Sequence, residues 1–217
     1  MKLSSSTREL IIVGFLLAPF LYLALVWPQL PDIIATHFDA QGRPNDWMAK
    51  TNAVLLMGGS SLFLYLLLRF LPRIDPRNQL QTGNYQKLRL FIALCFAGIT
   101  GWLWYAAANP DRTESLTGLL LALVGVMIAG TGNYLTTVKP NWFVGIRTPW
   151  TLSSDTVWRR THQLGGKLMV AGGLLGSALA LLLPAESRLW AFLAVVLLSS
   201  FVPVVYSYVY FRQEKAR

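Results

Sequence analysis

Six apolar runs, each long enough to cross a bilayer, leave this chain few ways to fold. They cover residues 10–27, 52–71, 88–108, 116–135, 168–183 and 189–211. A hydrocarbon core about 30 Å thick takes roughly 20 helical residues to cross. Inside it every backbone N–H and C=O must find its partner within the segment. The runs therefore predict an all-α, polytopic membrane bundle of six transmembrane helices. Composition agrees, with 54% hydrophobic and 13% charged residues against about 25% charged in a soluble domain. Lys2 and Arg8 before the first run also fit a signal peptide. That run is long, lacks a small-x-small cleavage site and is followed by Pro28-Gln29-Leu30-Pro31, so it reads as a retained span.

The net charge of +9 would point to nucleic acid in a soluble protein, but here its distribution explains it. With the amino terminus, connectors 72–87 and 136–167 and the tail on one side, together with the charges at adjoining span ends (Arg69 and Arg89), that side holds 15 of the 19 Lys and Arg residues. Cytoplasmic loops are Lys/Arg-rich, which places both termini inside. Insertion and contact with anionic lipid then account for the basic surplus, with no direct nucleic-acid binding. The span interiors read as essentially free of acids and bases. Gly58-Gly59-Ser60-Ser61 predicts a small face for close helix contact. Trp102, Trp104 and Tyr105 predict an interfacial aromatic belt. The single Cys95 excludes an internal disulfide and a thiol-rich metal cluster.

Two connectors carry the polar chemistry. The segment 132–167, "GNYLTTVKPNWFVGIRTPWTLSSDTVWRRTHQLGGK", is basic and rich in Trp. Ser153 or Ser154 is suited to cap a short interfacial helix from about Asp155, with Asp155, Arg159 and His162 on one side. Trp158 and Thr161 lie round from them, and Gly165-Gly166 should bend the chain before the fifth span. Arg147 has three open roles: an ion pair with Asp155, a lipid phosphate, or a cytoplasmic partner. Trp150 after Pro149 is placed to lie in the headgroup layer. The connector 29–50 is expected to form tight turns at Gln41-Gly42 and Pro44-Asn45 around an extended "IIATHF". Its His37 and Asp39, with Asp32 and Asp46 nearby, suit a hydrogen-bonded loop, contact with an external peptide, or a divalent ion such as zinc.

The run "GNYLTTVKPNWFVGIRTPWTLSSDTVWRRTHQLGGK" resembles the signature of the SdpI family of bacterial membrane proteins. The resemblance rests on Asn133, Pro140, Asn141, Gly145 through Leu152, Trp158, His162, Gly165 and Gly166. "LPDIIATHFDAQGRPNDWMAK" is similar to a domain of unknown function that often precedes it, at Leu30, Pro31, Ile34, His37, Phe38, Gly42, Pro44, Trp47 and Lys50. The resemblance implies immunity to, or sensing of, a secreted membrane-active peptide toxin, with signalling through a cytoplasmic regulator. It implies no catalytic residues and no cofactor. The candidate contact residues are thus His37, Asp39, Arg147, Trp150, Trp158 and His162. The chain divides into a two-span module, 1–71, and a four-span module, 72–217. A small transporter or scaffold is the alternative, and an intramembrane enzyme is disfavoured because His37 and His162 fall on opposite faces of the bilayer.

Overall fold

Side-chain caps decide where several of the long helices begin. Ser4 Oγ accepts the Thr7 N–H and opens α1 (Ser5–Val26), and Thr82 accepts the Tyr85 N–H and opens α3 (Gly83–Ala108). Between them a hairpin of β1 (Ile33–Phe38) and β2 (Pro44–Ala49) leads into α2 (Lys50–Ile74). Next come α4 (Thr113–Leu135) and the short α5 (Pro149–Ser153), followed by α6 (Asp155–Leu182) and α7 (Ala185–Lys215). This computed structural model describes residues 4–216; Lys2 and Arg217 of the charge count lie outside them. Among the described residues six helices are long and apolar enough to cross a membrane, and a short helix follows the fourth. The β-hairpin is the addition: "IIATHF" is extended as expected, but "PNDWMA" pairs with it as a second strand.

The bundle closes where side chains are smallest. A Cβ on Gly132 would meet Gly166 O at 2.8 Å, so α4 and α6 approach backbone to backbone. Ser177 Oγ donates across the same seam to Ala122 O at 2.9 Å. Gly165 faces Ile146 and Pro203 of α7. The expected bend at Gly165-Gly166 does not occur, and α6 runs unbroken through both. Glycine here serves close packing, and the tertiary contact outweighs its weak helix propensity. Pro203 likewise sits inside a continuous α7.

Three further expectations are corrected. Gly58 and Gly59 meet nothing within 4 Å, so the small face of α2 is open rather than packed. Trp102 and Trp104 are buried beneath the hairpin with Leu23, Leu30 and Ile34, and only Tyr105 of that trio stays partly exposed. The span interiors are not free of charge. Arg89 of α3, 2% exposed, donates from both terminal nitrogens to Glu9 of α1 at 2.8 and 2.9 Å. Tyr65 O–H of α2 donates to Glu9 at 3.1 Å, and Arg69 Nε lies 3.6 Å from the same carboxylate. Sequence reading missed this network because Glu9 and Arg89 stand next to predicted span ends, where charges usually reach water.

Candidate functional site

The chemistry gathers at the two ends of the bundle. At the hairpin end, Asp39 makes the turn: its Oδ1 accepts the N–H groups of Gln41 (2.9 Å) and Arg43 (2.8 Å). Gly42 takes φ +88°, a conformation that disfavours side chains. His37 Nδ1 lies 2.6 Å from Asn45 Oδ1, across a strand pair whose register shifts on either side of His37. Lys50 closes the base, 3.1 Å from Asp32 and 4.9 Å from the centre of the Trp27 ring. The underside is pinned by buried Leu30 and Ile34 and by Phe38 edge-on to Trp102, ring centres 5.4 Å apart. Between hairpin and bundle lies a cleft of about 340 Å³, lined by His37, Asp39, Trp102, Leu120 and Leu189 among others. Among the described residues no three His, Cys, Asp or Glu groups converge as metal ligands. His37 and Asp39 are thus adjacent, one exposed and one tied into the turn.

At the other end the connector before α6 folds on its own polar groups. Asn141, almost fully buried, uses both ends of its amide. Nδ2 donates to the carbonyls of Lys139 and Val144, and Oδ1 accepts from the N–H groups of Phe143 and Val144. Thr148, extended before Pro149 as proline requires, forms a reciprocal cap with Thr151. Thr148 Oγ1 also lies 3.1 Å from Ser207 Oγ and joins this turn to α7. Buried Asp75 accepts the Trp142 N–H at 3.3 Å, and Asn84 Nδ2 donates to Thr137, so connectors 72–87 and 136–167 share one end. Asn141, Thr148, Thr151 and Asp75 were not singled out as site residues. The Thr-Pro-x-Thr spacing was the available signal for the cap.

The centre of this end is a ring stack. Trp158 and His162 lie 4.0 Å apart, centre to centre, both buried. Trp158 Nε1–H donates to Val138 O at 3.0 Å. His162 Nε2 accepts the Ile146 N–H at 2.8 Å, so its proton sits on Nδ1, which lies 2.8 Å from Trp158 O. Gly145, at φ +136°, passes over both rings, and a Cβ there would strike His162 Nε2 and approach Trp158 Cη2 to 3.0 Å. Trp158 and His162 are therefore framework, their ring nitrogens spent on backbone groups, and they present only the wall of a cleft.

The remaining expectations divide. Ser154 caps a helix at Asp155, but that helix is α6 itself, and the short helix is Pro149–Ser153. Asp155, Arg159 and His162 do line one cleft, of about 390 Å³, together with Lys139. The Arg147–Asp155 pair is absent: Asp155 faces Arg77 at 3.6 Å, and Arg147 is exposed. Trp150 leans on Tyr208 of α7, ring centres 5.0 Å apart, while Trp142 and Phe143 are exposed. The sites at the two ends stay apart, and among the described residues neither end brings a nucleophile and a base together.

Comparison with known proteins fits this division. Residues 14–59, comprising the later part of α1, the hairpin and the start of α2, match a domain of unknown function, DUF1648. Residues 137–207 match the SdpI/YfhL protein family. The immunity protein SdpI of Bacillus subtilis (strain 168) is 29% identical over 90 residues, which covers 42% of this chain and 43% of that relative. The chain thus spans less than half the length of the curated relative it matches. No solved structure matches it. The buried Asn141, Thr148, Trp158 and His162, and Gly145 packed over the two rings, all fall within the matched 137–207 segment. The chain, with six helices long and apolar enough to cross a membrane among its described residues, is thus similar to the SdpI/YfhL family over 137–207 and to DUF1648 over a segment ahead of it.

Proposed function

We propose that the chain protects its cell against, or senses, a secreted membrane-active peptide, without performing chemistry on it. The observation that carries this is the likeness of the family segment to a protein named for immunity. The hairpin supports it: it is braced on the bundle, edged by Asp32, Asp39 and Asp46, and opens over an apolar cleft. Orientation follows the 15-to-4 distribution of Lys and Arg, which puts the hairpin outside and both termini in the cytoplasm. His37 and Asp39 then meet an arriving peptide, one at the exposed strand edge and one at the turn. Arg147, with exposed Trp142 and Phe143 beside it, offers a cytoplasmic regulator or the lipid headgroups a basic, aromatic face. Residues 1–71 serve as the receiving module and 72–217 as the responding one.

The test is survival of cells challenged with a secreted membrane-active peptide, with and without the chain, and with His37→Ala and Asp39→Ala. Wild-type protection and weakened variants at equal membrane abundance are expected. Full protection by both variants would move recognition away from the hairpin, and no protection by wild type would end the immunity reading. A small transporter is the second reading, favoured by the buried Arg89–Glu9 pair, since ionisable groups at membrane depth often mark transport paths. Ion flux into liposomes carrying the purified chain tests it.

A further inference from the structure

The helices α1 and α2 meet near each end and part between. Leu64 and Tyr65 pack with Ile12 and Leu16 at one end, and Val54 and Met57 pack with Leu23 and Ala53 at the other. Between these contacts runs an apolar furrow of about 560 Å³, whose walls include Val13, Leu17, Leu55, Leu62 and Tyr65. Its floor at Gly58 and Gly59 is open, with nothing within 4 Å of either position. In a bilayer such a furrow cannot stay empty, and its lining admits only hydrocarbon.

One end of the furrow is charged. Tyr65 ends the lining, and its O–H donates to Glu9 Oε2, the same oxygen that lies 3.6 Å from Arg69 Nε. Glu9 is already neutralised by the two-point bond from Arg89. Three side chains thus sum to one surplus positive charge, which resides on Arg69. Arg69, about a third exposed, makes no hydrogen bond among the described residues, so its terminal N–H groups are available. Arg73, one turn further, stacks on Phe70 and adds a second positive charge. From Arg69 back to Val54 is about 22 Å at 1.5 Å per residue, within reach of one extended acyl chain.

We infer that the α1–α2 furrow is a binding site for an anionic phospholipid, its chain between the helices and its phosphate on Arg69. Arginine suits this role because its planar fork donates two parallel hydrogen bonds to phosphate. The site belongs to the amino-terminal half and is independent of the immunity reading.

The experiment uses the full chain in bilayers of equal phosphatidylglycerol and phosphatidylcholine, re-extracted in mild non-ionic detergent. Lipid retained per chain is counted by native mass spectrometry. Wild type should retain one phospholipid with about fivefold enrichment of phosphatidylglycerol, the factor expected for one basic group at the surface. Arg69→Gln should retain lipid without that preference. Lys215→Gln, which removes the same charge from the end of α7, should keep it. Gly58→Leu with Gly59→Leu builds side chains into the furrow from positions where a Cβ meets nothing within 4 Å and should abolish retention; it carries the test alone if Arg69→Gln fails to accumulate. Retention in the bulk ratio by wild type, enrichment surviving Arg69→Gln, or retention surviving the double leucine variant would each overturn the assignment.

Discussion

Replacing His162 with Phe isolates one hydrogen bond at the centre of the family segment. Phenylalanine keeps an aromatic ring on Trp158 and nearly the same volume, so the stack survives. What disappears is the Nε2 acceptor for the Ile146 N–H, a 2.8 Å bond. Nδ1 also leaves Trp158 O, but that carbonyl remains within the ladder of α6. The cost is therefore that of an orphaned, largely buried N–H, about 1–3 kcal/mol. For a chain of this size that corresponds to a fall in Tm of about 3–9 °C. His162→Ala also deletes the ring against Trp158 and should cost more, about 3–5 kcal/mol. The assay is thermal unfolding of the purified chain in one detergent at one scan rate, followed by tryptophan fluorescence. If His162→Phe melts with wild type while His162→Ala falls sharply, the ring acts by packing alone. The claim that Nε2 holds Ile146 in place would then be wrong.

Glycine substitutions should divide by location. Gly132→Ala pushes a methyl into Gly166 O and should lose about 1–3 kcal/mol, whereas Gly58→Ala should be neutral or gain up to about 1 kcal/mol, both read by the same melt. Glu9→Gln leaves the buried Arg89 uncompensated and should cost about 3–5 kcal/mol; Arg89→Gln leaves Glu9 with Arg69 and Tyr65 and should cost less, and the double variant should cost less than the sum in a thermodynamic cycle. Arg147→Lys should leave stability within about 0.5 kcal/mol, because Arg147 is exposed; a loss of protection at unchanged Tm, absent in Arg160→Lys, would report a partner contact. For topology, with Cys95 replaced, a membrane-impermeant thiol reagent on intact cells should label a cysteine introduced at position 45 and spare those at 77 and 155; the opposite pattern reverses the orientation.

Helix number and the paired connectors were legible because bilayer thickness imposes a length on every apolar run, and that length is a property of sequence alone. The framework role of Trp158 and His162 was not, because the Ile146 N–H reaches the His162 ring by a fold-back over 16 residues that no local spacing encodes; only Trp158 O, one helical turn away, is a local partner. The same reason hid Asp75, whose acceptor role depends on a chain segment 67 residues away. Glycine pairs were ambiguous in kind: Gly58-Gly59 and Gly165-Gly166 look alike in sequence, yet the first is open and the second is closely packed on both sides. Only the neighbouring helix tells them apart. The hairpin's second strand, "PNDWMA", was missed because its β-propensity is poor and its pairing comes from the Asp39 turn.

The unbroken α6 has a mechanical consequence. At 28 residues it is a rod about 42 Å long, some 12 Å more than the hydrocarbon is thick. Its glycine-lined flank lies against α4 at backbone distance and is tied to it by Ser177 Oγ, which donates to Ala122 O toward the Pro184 end. The rod therefore answers a push at the Pro184 end as a lever, since it has no hinge in which to absorb it. A rock of about 10° over that length moves the far end by about 7 Å. The far end is where Trp158 and His162 grip Gly145 and Ile146, so the whole connector would travel with it as a pointer.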